Sequence, residues 1–192
     1  ISSIFYPVKE CFDVLEIIPA KAFSFTSSGF FIPGESNICV NAYDLLKLDF
    51  DIPPVKIHLH KQIPIGTGLG GGSSDGAFTL NVLNQLFNLG LSPHTLMEYA
   101  LKLGADCPFF IENMPKYVTG IGEKMIPIDL DLSSFDLRFN FPNLSLSTAE
   151  SYAKIKPKLP SKKILECISL PIELWKGRLE NDFESVIFPK HP

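Results

Sequence analysis

A strict alternation of apolar and polar residues predicts a β-strand in VKIHLHKQI, residues 55–63. One face carries the apolar side chains and the other the polar ones: Val55, Ile57 and Leu59 against Lys56, His58 and His60. Lys61 then falls on the apolar face, at the end of the strand. Its ammonium either reaches out of the core or points toward what the next segment binds, and the pattern leaves both interpretations open.

Two earlier segments also have strand character. ECFDVLEII (10–18) is apolar with partial alternation, and FSFTSSG (23–29) alternates Phe with Ser or Thr. A turn through residues 19–22 would join them, so a β-hairpin is predicted.

Three amphipathic helices are predicted from apolar positions at helical spacing. The first has Ser36 as its N-cap and ends before Pro53, the second opens near Ser73 and stops at Gly90, and the third runs from Ser92 and Pro93 to Gly104. Their apolar stripes are Ile38, Ala42, Leu45 and Leu46; Ala77, Leu80, Leu83, Leu86 and Phe87; and Leu96, Tyr99, Ala100 and Leu103. Short strand-like runs return from Tyr117, and a shift toward Asp, Ser, Pro and Lys near Leu130 predicts two domains, 1–129 and 130–192.

Composition narrows the functional class. The 192 residues are 45% hydrophobic with a net charge of −4, which is typical of a globular protein without a general attraction to nucleic acid or anionic membranes. No apolar run approaches the roughly 20 residues of a membrane span, so a cytoplasmic location is expected. The cysteines are far apart and are expected to be free thiols: Cys11, Cys39, Cys107 and Cys167.

The segment PIGTGLGGGSSDGA (64–77) contains six glycines, five of them between the predicted strand and the second helix. Glycines let a backbone approach phosphate oxygens closely, and the N-terminus of the following helix favours an anion. Gly66, Gly68 and Gly71 have the G-x-G-x-x-G spacing of dinucleotide sites, but a second helix follows instead of a parallel strand. A Walker A Gly-Lys-Ser/Thr and the protein-kinase triplets are also missing. The pattern therefore predicts a phosphate loop of another class, and a plain linker is the less favoured alternative.

Three further candidates are weaker. Asp106 in LGADCPFF can activate a hydroxyl for phosphoryl transfer, although an isolated aspartate there is more often a solvated turn residue. His58-x-His60 has no third ligand in view, and the acidic run 129–136 lacks the glycine and terminal glutamate of a calcium loop. Solvated surfaces are favoured for both.

Taken together, PIGTGLGGGSSDGA, LGADCPFF, VTGIGEKM (118–125) and NDFE (181–184) resemble the GHMP family of small-molecule kinases in sequence and order. The resemblance implies an α+β fold, with an N-terminal ATP-binding domain like ribosomal protein S5 domain 2 and an α/β C-terminal domain. It is closest to the members that use ATP and Mg²⁺ to phosphorylate the 2-hydroxyl of a cytidine-diphosphate-linked methylerythritol in the non-mevalonate isoprenoid pathway.

The resemblance also implies roles for individual residues. Asp106 becomes the catalytic carboxylate, Asn37 and Lys61 approach the adenosine of ATP, and Tyr152, four residues after Thr148, stacks on the substrate cytosine. The phosphate loop comprises Pro64, Ile65, Gly66, Thr67, Gly68, Leu69, Gly70, Gly71, Gly72, Ser73 and Ser74. The expected partner is the small-molecule substrate, with no nucleic acid or membrane, and the expected state is a monomer or a homodimer.

The sequence departs from the family pattern at three places. A strand with a catalytic lysine and a Gly-Tyr-His segment would precede Ile1, and a late glycine-rich motif would follow NDFE, whereas the last glycine here is Gly177. The chain is therefore expected to be incomplete at both ends. Gly76 stands where alanine is usual. Alternatives are a kinase for mevalonate-type acids or homoserine, or a nucleotide-binding module without catalysis.

Overall fold

The computed structural model describes residues 1–34, 36–140, 152–155 and 163–189. The fold is α+β, and the chain divides into two compact units. The first contains Ile1 and Phe5–Ile128, and the second contains Ser2–Ile4 and Asp129–Pro192. This division falls beside the composition shift near Leu130. The assignment of the units to the two domains of a kinase stays a prediction.

The strands and helices follow in chain order. The strands are β1 (Ser2–Phe5), β2 (Val14–Pro19), β3 (Ser24–Gly29), β4 (Val55–Lys61), β5 (Lys116–Thr119) and β6 (Lys124–Pro127). The helices are α1 (Ile38–Lys47), α2 (Gly71–Leu86), α3 (Pro93–Leu103), α4 (Cys107–Glu112), α5 (Ile164–Ile168) and α6 (Glu184–Ile187), with a 3-10 turn at Ile172–Leu174.

The predicted hairpin of β2 and β3 is wrong, because β4 lies between them. β4 pairs antiparallel with β2 and parallel with β3. The inward residues Val55, Ile57 and Leu59 are almost fully buried, so β4 is the central strand and its ladder hydrogen bonds are satisfied on both sides. A short connection between two strands favours a hairpin locally, but it does not exclude the insertion of a third strand from elsewhere in the chain.

The helix ends follow local capping chemistry. Ser92 caps α3 by accepting the Thr95 N–H at 3.1 Å, with Pro93 in the first turn and Gly104 after the last, as predicted. The predicted cap of α1 is wrong by one residue. Asn37 caps that helix, because its Oδ1 accepts the Cys39 N–H at 2.8 Å.

One hydrophobic core joins the inward face of β4 to the apolar stripes of the three predicted helices. Its members with no exposed surface are Cys39, Ala42, Leu46, Val55, Ala77, Leu80, Leu83, Ala100 and Cys107. This packing brings the N-terminus of α2 to the carboxyl end of β4. The strand and the helix thereby fix the two ends of the intervening glycine segment.

The outward face of β4 is a polar surface. His58 lies 2.8 Å from Thr26 Oγ1 and 3.0 Å from Ser28 Oγ, which is also 2.9 Å from His60 Nδ1. Within the described residues, no group of three His, Cys, Asp or Glu side chains is placed to hold a metal ion. The four cysteines are free, as predicted. None of the helices in the described ranges combines the length and apolar character that crossing a membrane requires.

Candidate active site

The glycine segment between β4 and α2 adopts a backbone that other residues rarely take. Gly66, Gly68 and Gly70 have φ angles of +81°, +76° and +72°. Gly70 is the N-cap of α2 and offers no side chain to the first N–H groups, and the first turn contains no acidic residue. These N–H groups and the positive end of the helix dipole therefore form a surface that suits an anion.

The segment separates two cavities within the first unit. The larger, of about 590 Å³, is lined by Asp106, Ser74 and Leu69 among others, and the smaller, of about 270 Å³, by Asn37, Lys61 and most of the glycine segment. Four residues line both: Gly68, Gly70, Gly71 and Asp75. A molecule in either cavity would therefore contact the same loop.

Asp106 occupies the N-cap position of α4 but does not use its side chain as a cap. Its backbone is helical, with φ −88° and ψ −17°, and the residue is exposed. It lines the larger cavity together with Gly70 and Ser74. The structure thus brings the predicted carboxylate and the predicted phosphate loop to one cavity, from segments about 30 residues apart in the sequence.

Aromatic side chains form much of the wall of the larger cavity, and the sequence analysis missed them. Phe5 and Phe110 contact Phe109 edge-on, with ring centroids 5.4 Å and 5.0 Å from it. The other aromatic lining residues are Tyr6, Phe12 and Phe78. The adjacent phenylalanines of CPFF, directly after Asp106, were the available signal. A cavity with apolar walls and a few polar groups is typical of small-molecule sites.

The two residues expected near the adenosine of a nucleotide both line the smaller cavity. Asn37 uses its Oδ1 to cap α1. Lys61 keeps its side chain in the core, with 4% exposure, and its Nζ lies 2.5 Å from Asp13 Oδ2 and 2.7 Å from Asp75 Oδ2. The sequence left two interpretations of Lys61 open, and the structure favours the second: the ammonium points to the base of the glycine segment. Two carboxylates already pair with it there.

Burial is the largest single influence on the pKa of the Lys61 ammonium and on that of the Asp75 carboxyl. It raises the pKa of Asp75 to about 7, against the opposing effect of Lys61 and with a further contribution from Asp13. Burial lowers the pKa of Lys61, but the two carboxylates together outweigh it and the pKa is raised. A lysine that stays buried on the apolar face of a strand needs an anionic partner, so its position could have indicated a buried carboxylate nearby, but not which one.

The predicted substrate-base residues lie in the second unit. Tyr152 is 51% exposed and contacts Phe183 edge-on, with centroids 5.0 Å apart. Thr148 lies outside the described residues. The roles of both residues stay predictions.

Comparisons with known proteins agree with this geometry. The family described as "GHMP kinases N terminal domain" matches residues 37–113, which include the glycine segment and Asp106. The 4-diphosphocytidyl-2-C-methyl-D-erythritol kinase of Parabacteroides distasonis is 43% identical over the whole chain, which covers 71% of that kinase. The kinase of the same name from Azobacteroides pseudotrichonymphae is 45% identical, again over the whole chain and over 73% of its own length.

The chain belongs to the 4-diphosphocytidyl-2-C-methyl-D-erythritol kinase family. A crystal structure of 4-(cytidine 5'-diphospho)-2C-methyl-D-erythritol kinase aligns with a TM-score of 0.69 and 30% identity, over 94% of this chain and 65% of that one. The chain thus spans about two thirds to three quarters of the proteins it matches. The α+β fold of a GHMP kinase, which the sequence motifs predicted, is confirmed for this member of the 4-diphosphocytidyl-2-C-methyl-D-erythritol kinase family.

Proposed function

We propose that the protein transfers the γ-phosphoryl group of ATP to the 2-hydroxyl of 4-diphosphocytidyl-2-C-methyl-D-erythritol, a step of the non-mevalonate isoprenoid pathway. The observation that carries the proposal is that Asp106 lines the same cavity as several residues of the glycine loop, which is residues 64–74 of the glycine segment. In a phosphoryl transfer of this kind, a carboxylate lies beside the attacking hydroxyl, and an anion site next to that hydroxyl binds the phosphates of the nucleotide. The names of the relatives supply the substrate.

Asp106 is the proposed catalytic residue. Its carboxylate accepts the proton of the substrate hydroxyl while the hydroxyl oxygen forms a bond to the γ-phosphorus, and the bond from that phosphorus to the leaving ADP oxygen breaks. The carboxylate is accessible from the cavity and is not used as a helix cap, so it is available to a bound substrate. Asp106 thereby also contributes to substrate binding.

The nucleotide is assigned to the glycine segment and the smaller cavity. Residues 64–74 bind its phosphates through backbone N–H groups and the serine hydroxyls, and Asn37 and Lys61 border the space for the adenosine. Magnesium binds largely through substrate phosphates in such sites. The hydroxyls of Ser73, which lines the smaller cavity, and of Ser74, which lines the larger one, would supply additional oxygen ligands. The bound ion would neutralise charge on the transferred phosphoryl group.

The methylerythritol end of the acceptor is assigned to the larger cavity. Tyr152 and Thr148 are proposed to bind its cytosine, on the resemblance to the family alone. The aromatic walls of the cavity can pack against the C–H groups of the methylerythritol, and the glycine loop, which borders both cavities, holds the nucleotide phosphates beside it. Residues 1–129 would form the ATP-binding domain and 130–192 the beginning of the C-terminal domain. The protein would act in the cytoplasm as a monomer or homodimer, independently of nucleic acid and membranes.

An acceptor panel tests this proposal. ADP release is measured with the cytidine-diphosphate-linked methylerythritol, with mevalonate and with homoserine, and ATP binding is followed by calorimetry. We expect ADP release with the first acceptor alone. Release only with mevalonate or homoserine would replace the proposed substrate. ATP binding by the complete gene product without release for any acceptor would favour a non-catalytic module.

A further inference from the structure

A buried cluster of charges lies in the wall between the two cavities, and the proposed chemistry does not use it. The Asp13–Lys61–Asp75 cluster consists of one ammonium and two carboxylates. The side chains of Asp13 and Lys61 are 4% exposed, and that of Asp75 is 6% exposed. Its members come from the residue before β2, the end of β4 and the second turn of α2. It therefore links three separate segments of the first unit.

The contacts hold the cluster firmly on the backbone. Asp13 Oδ2 accepts from Lys61, while its Oδ1 accepts the N–H groups of Gln62 at 2.6 Å and Ile63 at 2.9 Å. Asp75 accepts from the same ammonium at 2.7 Å. A Cβ placed on Gly71 would lie only 3.2 Å from Lys61 Nζ, so the glycine segment rests directly on this ammonium.

The cluster borders both proposed substrate sites. Asp13 lines the larger cavity, Lys61 the smaller one, and Asp75 both. A shift of Lys61 would therefore move groups in two cavities together. Because burial makes an unpaired charge costly, each member is held in place by the others.

The formal charge of the cluster argues against a direct phosphate-binding role for the ammonium. Two carboxylates and one ammonium sum to −1 when all are ionised. A negative charge beneath a loop that receives a triphosphate is repulsive by itself. The contribution of the cluster to the site is therefore geometric, because it connects the walls of the two cavities.

We propose that Lys61 is a positioning residue that sets the two substrate sites relative to each other. Through Asp75 it fixes the first turns of α2 and the glycine loop, and through Asp13 it fixes the wall of the acceptor cavity. Asp13, which lines only the acceptor side, thereby influences nucleotide binding on the other side. This inference rests on the proposed assignment of the two cavities.

The test uses Asp13→Asn, which keeps the shape of the side chain and an oxygen for the two backbone N–H groups. The Kd of a non-hydrolysable ATP analogue is measured by calorimetry, and Asp44→Asn, on the exposed face of α1, is the matched control. We expect the Kd to rise about 3- to 30-fold in Asp13→Asn and to stay unchanged in Asp44→Asn. In Asp75→Asn the Kd for the analogue and the KM for the acceptor should both rise.

The outcomes separate the possible roles of the ammonium. If Lys61 binds phosphate directly, removing a competing carboxylate tightens nucleotide binding, and a lower Kd in Asp13→Asn would overturn the proposal. A merely structural role lowers the folded fraction, which raises the apparent Kd only by that fraction. A Kd that is unchanged after correction for the folded fraction, measured by denaturation, would also overturn the proposal. Calorimetry with the analogue needs no acceptor, so an inactive wild type in the acceptor panel would refute the proposed function separately.

Discussion

The Nζ of Lys61 lies 2.7 Å from Oδ2 of Asp75, directly beneath the helix whose N-terminus forms the glycine loop. Neither side chain is exposed by more than 6%. The structure thus places an ion pair inside the wall that separates the two cavities, where water screens it little. Its protonation state should therefore be visible in the stability of the protein.

The stability of the protein should carry a contribution from Asp75 that falls as pH rises. Burial raises the pKa of this carboxyl from 3.8 to about 7, so the folded state binds the proton more tightly than the unfolded state. The contribution is complete below pH 3.8 and is lost as pH rises to about 7. Calorimetric scans should therefore show that the Tm difference, wild type minus Asp75→Asn, becomes smaller as the pH rises from about 5 to about 7.5.

The groups that face Asp75 support this assignment. They are Lys61, Asp13 and the Cys39 thiol, and burial raises the pKa of that thiol to about 12, outside the range of the scan. Asp44→Asn, at an exposed position, serves as the control and should leave the pH dependence unchanged. A Tm difference between wild type and Asp75→Asn that is independent of pH, or that rises with pH, would contradict the assignment.

Gly70→Ala should weaken nucleotide binding. Gly70 has a φ of +72°, and an added Cβ would lie 3.0 Å from two ring atoms of Phe110. A left-handed backbone costs an alanine about 1–2 kcal/mol, and the contact adds to this cost at the N-cap of α2. The KM for ATP should rise several-fold in a steady-state assay.

Gly90→Ala provides the comparison for this substitution. Gly90 has a similar φ of +70°, but an added Cβ would have no other atom within 4 Å, and the residue lies outside the loop. It should lower the Tm through backbone strain and leave the KM for ATP unchanged. Equal KM values for Gly70→Ala and wild type would show that the loop backbone does not determine nucleotide binding.

Gly76→Ala should lower the free energy of unfolding, although alanine is the better helix former. A Cβ at Gly76 would lie 2.8 Å from Ile38 Cγ1 and 3.4 Å from Leu103 Cδ1. The gain in helix propensity is about 1 kcal/mol, while overpacking of a core costs about 1–3 kcal/mol. Urea denaturation should show a net loss, and the loss should be smaller when the same change is made in an Ile38→Ala background. A more stable Gly76→Ala would mean that Ile38 moves away without cost.

Local features of the fold could be predicted from the sequence, and non-local ones could not. The boundaries of α3 follow from Ser92, Pro93 and Gly104, which act within one turn of the helix. β2 and β3 each pair with β4 and not with each other, and β4 is about 30 residues further along the chain. The alternation in β4 indicates that it is a strand but not which strands it joins.

The candidate site shows the same division. The glycine loop could be identified from its unusual composition and spacing, and Asp106 from the family resemblance. The fold brings them to one cavity. The partners of Lys61 could not be identified, because Asp13 and Asp75 become neighbours only through the packing of α2 against the sheet. The aromatic wall was missed for a similar reason, since phenylalanines at apolar positions indicate a core as readily as a cavity.

Asp106→Asn is the measurement that tests the proposed phosphoryl transfer most directly. The substitution keeps the size of the side chain and removes the proton acceptor, so kcat for the cytidine-diphosphate-linked methylerythritol should fall by about 100-fold or more. The Kd for the ATP analogue and the Tm should match those of wild type, and Asp44→Asn should retain full activity. A kcat for Asp106→Asn equal to that of wild type would contradict the assignment of Asp106 as the catalytic carboxylate.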